Sequence, residues 1–145
     1  MDGRRDFTYD QNNFKGLPEY IKETKSKNSM RWTIIIDPAI DGDKAGYSAF
    51  EEGYKKDVFI KWPESIPASQ RSKPGNAPSD KGVMYGRVWP SGPAAFPDFL
   101  KNATNDWWID QLKEFHSILN FDAIWIVSFF FVLKIIFFLI ILFRI

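Results

Sequence analysis

The 145-residue chain has 19 basic and 18 acidic side chains, no cysteine and a single histidine. The near balance of charge gives no support for nucleic-acid binding. The composition excludes disulfides, thiol catalysis and metal sites that need several cysteine or histidine ligands. At 45% hydrophobic and 17% aromatic residues, the chain is also too apolar to be disordered.

The first predicted element is a helix that begins at Leu17 and Pro18. Residues 1–15 before it are polar, and no apolar stretch follows their basic residues, so we expect no N-terminal signal peptide. Proline suits the first helical position because its missing N–H would be unpaired there. Apolar side chains at helical spacing continue to residue 24, and the polar run 25–29 is expected to end the helix.

A buried strand is predicted next, over residues 32–37. Its apolar side chains are consecutive rather than alternating, which is typical of a strand covered on both faces in a parallel α/β sheet. Pro38 ends it, since proline cannot donate to a neighbouring strand. A helix followed by such a strand is the unit from which α/β folds are built.

Residues 38–100 read as a long loop or a small inserted subdomain. They contain every proline except Pro18, and a connection of this length far exceeds the usual loop of about 4–6 residues. Short strands are possible at 58–62 and 86–89. A second helix is predicted over 105–117, with Asn102 or Thr104 as its N-terminal cap. The core-facing stripe of this second helix consists of Trp108, Leu112, Phe115 and Leu119. A short buried strand is predicted after the helix, over 121–126.

The C-terminal region is almost entirely apolar. From residue 123 to 143 only Ser128 and Lys134 interrupt the run, and its length matches the roughly 20 residues that span a bilayer. Lys134 would cost about 2.5–3.5 kcal/mol on insertion, which the many large apolar residues can offset. We therefore predict a hydrophobic, transmembrane-like C-terminal helix over 127–145, with the membrane as a partner through residues 123–145.

Several motifs in one order resemble glycoside hydrolase family 31, the lysosomal and intestinal α-glucosidases. The resemblance covers about residues 1–126. The motifs are Met1-Asp2-Gly3-Arg4-Arg5-Asp6-Phe7-Thr8, Ile34-Ile35-Ile36-Asp37-Pro38-Ala39-Ile40, Asp57-Val58-Phe59-Ile60, Val88-Trp89-Pro90, Ala95-Phe96-Pro97-Asp98-Phe99, Trp107-Trp108 and Phe121-Asp122-Ala123-Ile124-Trp125-Ile126. The resemblance implies an α/β fold, an incomplete (β/α)₈ TIM barrel of about two βα units with a long insert at 38–100.

The family implies hydrolysis of terminal α-glucosidic bonds of malto-oligosaccharides, starch or glycogen, with retention and without a cofactor or metal. By resemblance Ile35 and Trp89 line the glucose pocket; the alternative is that they are a strand core residue and a packing aromatic. In the family the segment matching Trp125-Ile126 continues Asp-Met-Asn-Glu-Pro, and that Asp is the nucleophile. Here Val127 stands at this position, so no catalytic residue is expected and the chain should be inactive.

Other residues are interpreted more plainly. Asp37 and Asp98 are expected to be structural acids that orient turns, and His116 a partly exposed helix residue rather than a metal ligand. Asn102-Ala103-Thr104 is an acceptor sequence for N-glycosylation. It fits a chain in the membrane or the secretory pathway, as in the lysosomal and extracellular members of the family.

Two alternatives remain open at this point. The chain could be a membrane-attached, non-catalytic protein that binds sugar or a partner; a transmembrane protein of unrelated function is disfavoured because the hydrolase motifs occupy most of the chain. The resemblance ends at Val127-Ser128, and the tail is encodable by T- and A-rich codons. This is typical of a retained intron or a gene-model error, and a selected tail anchor is the rival explanation.

Overall fold

A computed structural model describes residues 1–43, 45–71, 75–78, 80–90 and 92–126. The predicted hydrophobic helix over 127–145 lies outside these residues. The helices are α1 (Leu17–Asn28), α2 (Ser48–Lys55) and α3 (Asn102–Leu119), with a short 3-10 helix at Ala68–Gln70. The strands are β1 (Thr33–Ile36), β2 (Ile40–Asp41), β3 (Tyr85–Gly86), β4 (Ala94–Ala95) and β5 (Ala123–Ile126).

The two long strands, β1 and β5, pair in parallel, with Thr33 opposite Ala123 and Ile36 opposite Ile126. Each strand follows a helix, α1 before β1 and α3 before β5, and these two helices contact each other. The predicted α/β arrangement of two helix–strand units is therefore confirmed. The strand predicted at 121–126 is confirmed from residue 123 onward.

One face of the β1–β5 pair carries the core. Ile36 of β1 and Ile124 of β5 are buried in one cluster with Ile21 of α1 and with Phe115 and Leu119 of α3. The opposite face is open in the described residues: Ile35 is 44% and Trp125 58% exposed. Parallel sheets are normally covered on both faces. The prediction that β1 is covered on both faces is therefore confirmed for the core face and wrong for the opposite face in the described residues. Exposure alternates along β1 and β5 even though residues 34–36 of β1 are all isoleucine.

Helix α1 begins where the sequence predicts, after Gly16, which adopts a left-handed φ of 80°. It ends at Asn28, beyond the predicted stop, and Ser29 then takes a left-handed φ of 53°. The last turn holds because Thr24 is buried and because Lys25 Nζ donates a 2.8 Å hydrogen bond to the backbone oxygen of Asn120. The first four residues of the polar run 25–29 are therefore helical, and a contact with Asn120 outside the helix supports them.

The segment 38–100, predicted to be a long loop or a small inserted subdomain, contains regular secondary structure. Helix α2, which the sequence did not predict, lies within it, and β2, β4 and β3 form an antiparallel sheet in that order. The predicted strand at 58–62 is not continuous: Phe59 and Lys61 form only isolated bridges, with Pro97 and Val83. The strand predicted at 86–89 is instead Tyr85–Gly86.

A cluster of aromatic side chains packs the segment 38–100 against α3. Phe59 is 1% exposed and stacks on Phe50 of α2 at 5.4 Å between ring centroids. It also meets the fully buried ring of Trp107 edge to face at 5.7 Å. Trp107 lies far from Phe59 in the sequence, so the contact that buries this part of the Pro-rich segment comes from α3 and not from local pattern.

Helix α3 is longer than predicted and is not capped as expected. Lys101 occupies the N-cap position without a side-chain capping bond, so the assignment of Asn102 or Thr104 as the cap is wrong. Thr104 Oγ1 instead donates a buried 3.1 Å hydrogen bond to the backbone oxygen of Val58. The predicted stripe is confirmed, with Trp108, Phe115 and Leu119 buried and Leu112 partly buried.

Within the described ranges, no helix combines the length and apolar character that crossing a bilayer requires. Residues 123–126, the first four of the predicted apolar run, form strand β5 and pair with β1. These four residues are therefore sheet and cannot belong to a spanning helix.

Candidate functional site

The carboxyl ends of β1 and β5 lie side by side, because the strands are parallel and Ile36 is in register with Ile126. Asp37 follows Ile36 at this edge. Val127 follows Ile126 in the sequence and lies outside the described residues. Catalytic groups of (β/α)₈ barrels stand at the carboxyl ends of the strands, so this edge is the candidate site.

Asp37 is the charged residue at the centre of this edge. It is 6% exposed, and its Oδ1 has no hydrogen-bond partner among the described residues. Burial raises the pKa of Asp37, while a hydrogen bond from the Trp89 side chain acts in the opposite direction. Trp89, predicted to be a pocket residue, therefore reaches the end of β1 through Asp37.

A second buried acid, Asp6, ties the N-terminal segment to the same edge. Its Oδ1 accepts a 3.0 Å hydrogen bond from the backbone N–H of Asp37, and its backbone oxygen accepts one from the Tyr47 hydroxyl at 2.9 Å. Burial raises the pKa of Asp6 from 3.8 to about 8; the Asp37 N–H lowers it and the Asp37 charge raises it. At 1% exposure, Asp6 is an internal acid that positions Asp37 and is not presented to a ligand.

Ile35 lies two residues before Asp37 on the open face of β1. Its partner in register is Trp125 of β5, so the two exposed side chains form an apolar pair on that face. Ile35 also lines an apolar cavity of about 250 Å³ together with Met1, Phe14 and Trp32. Neither Asp37 nor Trp89 lines this cavity, and the role of Ile35 in binding sugar stays a prediction.

The N-terminal segment also contacts the backbone of Trp89. Arg4 Nη1 donates a 3.2 Å hydrogen bond to the backbone oxygen of Trp89, which is itself half-buried. Residues 1–9 and 89 therefore meet at one edge although the sequence separates them widely. Sequence reasoning did not single out Trp125, Asp6 or Tyr47. Only Trp125 carried a usable signal, the alternation of side chains along a strand.

The remaining predicted residues lie away from this edge. Asp98 Oδ1 accepts a 3.2 Å hydrogen bond from the Leu100 N–H in the turn before α3. His116 is half-buried on α3, and its ring meets Phe121 edge to face at 5.0 Å. Asn102 is exposed at the first position of α3. The part of the chain that the structure describes holds no cluster of His, Asp or Glu suited to a metal ion.

Comparisons with known proteins confirm the resemblance. The model of the glycosyl hydrolases family 31 TIM-barrel domain matches residues 1–127. Lysosomal alpha-glucosidase of Mus musculus is 36% identical over 128 residues, covering 87% of this chain and 12% of that protein. Intestinal sucrase-isomaltase of Oryctolagus cuniculus is 34% identical over 148 residues, covering 87% of this chain and 7% of that protein.

A solved structure agrees with these relatives in fold. The crystal structure of the glucosidase II alpha subunit, bound to Glc1Man2, matches with a TM-score of 0.65 at 23% identity. It covers 87% of this chain and 12% of that chain. The chain thus spans about a tenth of the length of the relatives it matches. It belongs to glycosyl hydrolase family 31, and its matched residues are part of that family's TIM-barrel domain.

Proposed function

We propose that this chain supplies part of the sugar-facing wall of an α-glucosidase barrel, with Ile35 and Trp89 in contact with an α-glucoside. The activity of the parent barrel is hydrolysis of terminal α-glucosidic bonds in starch- or glycogen-derived sugars. The observation that carries the proposal is that the N-terminal segment holds Trp89 and the end of β1 at one edge. Arg4 Nη1 donates a 3.2 Å hydrogen bond to the backbone oxygen of Trp89, and Asp6 Oδ1 accepts a 3.0 Å hydrogen bond from the N–H of Asp37, two residues beyond Ile35. An indole ring has a flat apolar surface with a polar end, which suits a sugar ring.

We further propose that the 145-residue polypeptide does not itself hydrolyse glycosides. A retaining mechanism needs two carboxyl groups about 5–5.5 Å apart, one of them free to attack the sugar. Val127 stands at the position that the family resemblance assigns to the nucleophile, and no Asp or Glu follows Asp122 in the sequence. Asp122 lies at the opposite end of β5, where its Oδ2 accepts a 3.0 Å hydrogen bond from the Trp32 N–H.

Neither buried acid of the edge substitutes for the nucleophile. Asp6 is 1% exposed and Asp37 6% exposed, so a sugar carbon cannot approach them without opening the packing around β1. A raised pKa also keeps Asp6 protonated near neutral pH, and a protonated carboxyl group is a poor nucleophile. The edge is therefore suited to holding a sugar rather than cleaving it.

The test combines turnover and binding. Purified chain is incubated with maltose and with 4-nitrophenyl α-glucoside, and we expect no release of glucose or nitrophenol above a mock purification. Saturation-transfer NMR with maltose should show weak binding that Trp89→Ala abolishes. Trp62→Ala is the matched control, a half-buried tryptophan whose side chain is not bonded to Asp37, and it should leave binding intact.

Two results would contradict the proposal in different ways. Glucose release that co-purifies with the chain would show that another group acts as nucleophile. Equal binding by wild type and the Trp89→Ala variant would show that Trp89 is a packing residue and that the wall lies elsewhere.

A second candidate is a membrane-attached, non-catalytic binding protein in the secretory pathway. The run of apolar side chains over 127–145 favours it, since only Ser128, Lys134 and Arg144 are polar there. Flotation with phosphatidylcholine vesicles tests it. The chain should float with the vesicles, and Leu139→Asp, which costs about 3 kcal/mol in a bilayer, should remain at the bottom. Failure of the wild-type chain to float would exclude membrane attachment without affecting sugar binding.

A further inference from the structure

We propose that Asn102 is an N-glycosylation site that accepts its glycan only before helix α3 folds. The acceptor sequence Asn102-Ala103-Thr104 forms the first turn of α3. Such a sequence is used through two side chains, the asparagine amide that is modified and the hydroxyl two residues later. The structure presents the first of these and conceals the second.

The two side chains point in nearly opposite directions. Residues of an α-helix advance by about 100° each, so positions i and i+2 lie about 200° apart. Asn102 is accordingly exposed, whereas Thr104 is 0% exposed. The Thr104 hydroxyl is also committed, because its Oγ1 donates a 3.1 Å hydrogen bond to the Val58 backbone oxygen. A transferase cannot contact both groups while this turn is helical.

The chemical step requires a lipid-diphosphate-linked oligosaccharide as donor. The Asn102 Nδ2 attacks the anomeric carbon of the donor, so that an N–C bond forms and the bond from that carbon to the phosphate oxygen breaks. One amide proton passes to a base of the transferase, and the lipid diphosphate departs with the bonding electrons. No oxidation or reduction takes place, and Thr104 is left unmodified.

The folded helix can carry the glycan once it is attached. Lys101, not Asn102, is the N-cap residue of α3, and it makes no side-chain capping bond. Within the described ranges no hydrogen bond uses the Asn102 amide, and its neighbours Ala103, Asn105 and Asp106 are exposed as well. The sugar therefore points into solvent, and Thr104 can still reach Val58. This inference needs the chain to enter the secretory pathway but does not depend on sugar binding.

The first experiment compares folded and unfolded acceptor chains. Detergent-solubilised oligosaccharyltransferase and lipid-linked oligosaccharide are added to the purified full chain and to its Trp107→Ala variant. That variant removes a fully buried ring from α3 and leaves the acceptor sequence intact. We expect the variant to be glycosylated at least tenfold faster, as a gel shift reversed by an amidase specific for Asn-linked glycans. Adding Asn102→Gln to the variant should abolish the shift.

Equal rates for the two chains would overturn the proposed dependence on folding. A circular-dichroism melt shows whether Trp107→Ala has unfolded the chain; if it has not, Phe59→Ala is added to remove the ring that packs against it. The second experiment synthesises the wild-type chain, fused to a cleavable leader, in the presence of microsomes. It should emerge carrying one glycan at Asn102, and an unmodified product would overturn the site itself.

Discussion

The backbone N–H of Asp37 donates a hydrogen bond to Oδ1 of Asp6 over 3.0 Å, across 31 residues of sequence. Both carboxyl groups are buried, at 6% and 1% exposure. Burial raises the pKa of each, because a charged carboxylate loses its hydration there. The contact attaches the N-terminal segment to the end of β1, and it makes this edge of the sheet sensitive to pH.

The first prediction concerns the pH dependence of stability. The pKa of Asp6 rises from 3.8 when unfolded to about 8 when folded, so the folded chain holds a proton that the unfolded chain has lost. Stability should therefore fall as pH rises from about 4 to about 8, by up to about 1.4 kcal/mol per pH unit from this group. Asp6→Asn should flatten that slope and raise stability at pH 8, because an amide oxygen accepts the same bond and never ionises.

Urea unfolding followed by tryptophan fluorescence at pH 5, 6.5 and 8 measures this slope. Asp10→Asn is the control, since Asp10 lies in an exposed turn where the Asn13 N–H lowers its pKa. The control should keep the wild-type slope between pH 5 and 8. The same slope in Asp6→Asn would mean that Asp6 is already ionised in the folded chain.

Asp122 predicts the opposite dependence at the other end of the same strands. Burial raises the pKa of Asp122. The Trp32 N–H and the cations of Lys25 and Arg31 together lower it by more than burial raises it, so the net shift is downward. The stability that this group contributes is present above its unfolded pKa and is lost as the pH falls through the folded pKa. Asp122→Asn should cost about 1–3 kcal/mol at pH 7, because bonds to a charged group are lost.

The cost of Asp122→Asn should shrink as the pH falls through the lowered pKa of Asp122, because the wild-type carboxylate then becomes protonated itself. A suitable control is Asp110→Asn on α3, whose pair with Lys56 is long at 3.7 Å and about half exposed on both sides. Such a surface pair contributes between about 0 and 1 kcal/mol. A penalty for Asp122→Asn that does not change as the pH is lowered from 7 would assign its effect to packing rather than charge.

Gly53→Ala tests the packing between α2 and α3. A methyl group at this position would stand 2.7 Å from the Phe59 ring and 3.1 Å from the Trp107 ring. Alanine favours a helix by about 1 kcal/mol over glycine, but overpacking a core costs about 1–3 kcal/mol, and both rings are buried and held by neighbours. We expect a net loss of stability in urea unfolding. A gain would show that the aromatic cluster can relax around the new methyl group.

Thr104→Val tests the bond that α3 makes with the segment before β3. The two side chains have nearly the same shape, so the change removes the hydroxyl and little else. We expect a loss of about 0.5–1.5 kcal/mol, since the Val58 oxygen keeps its 2.8 Å bond from the Asp98 N–H. Thermal unfolding should show a lower midpoint. An unchanged midpoint would mean that the hydroxyl bond contributes nothing net, and the helix start would depend on the Trp107 contacts alone.

Local patterns in the sequence were sufficient for the two helix–strand units. Helix α1, the stripe of α3 and the apolar runs of β1 and β5 follow from spacings within a few residues. The family motifs singled out Ile35 and Trp89 as pocket residues, and that role stays a prediction. Helix α2 escaped prediction because only Ala49, Phe50 and Gly53 are buried in it, and their partners are supplied by Phe59 and α3.

The amino-acid order by itself determined the α/β class and the family, because these depend on residue identity and short-range periodicity. Only the tertiary structure decided that Ile35 is open while Ile36 is buried, since the two are equally apolar and differ only in which face the helices cover. It also decided that Trp89 and Asp6 meet at Asp37. Hydrogen bonds between distant segments bring these residues together. Such bonds form because a buried polar group without a partner is costly.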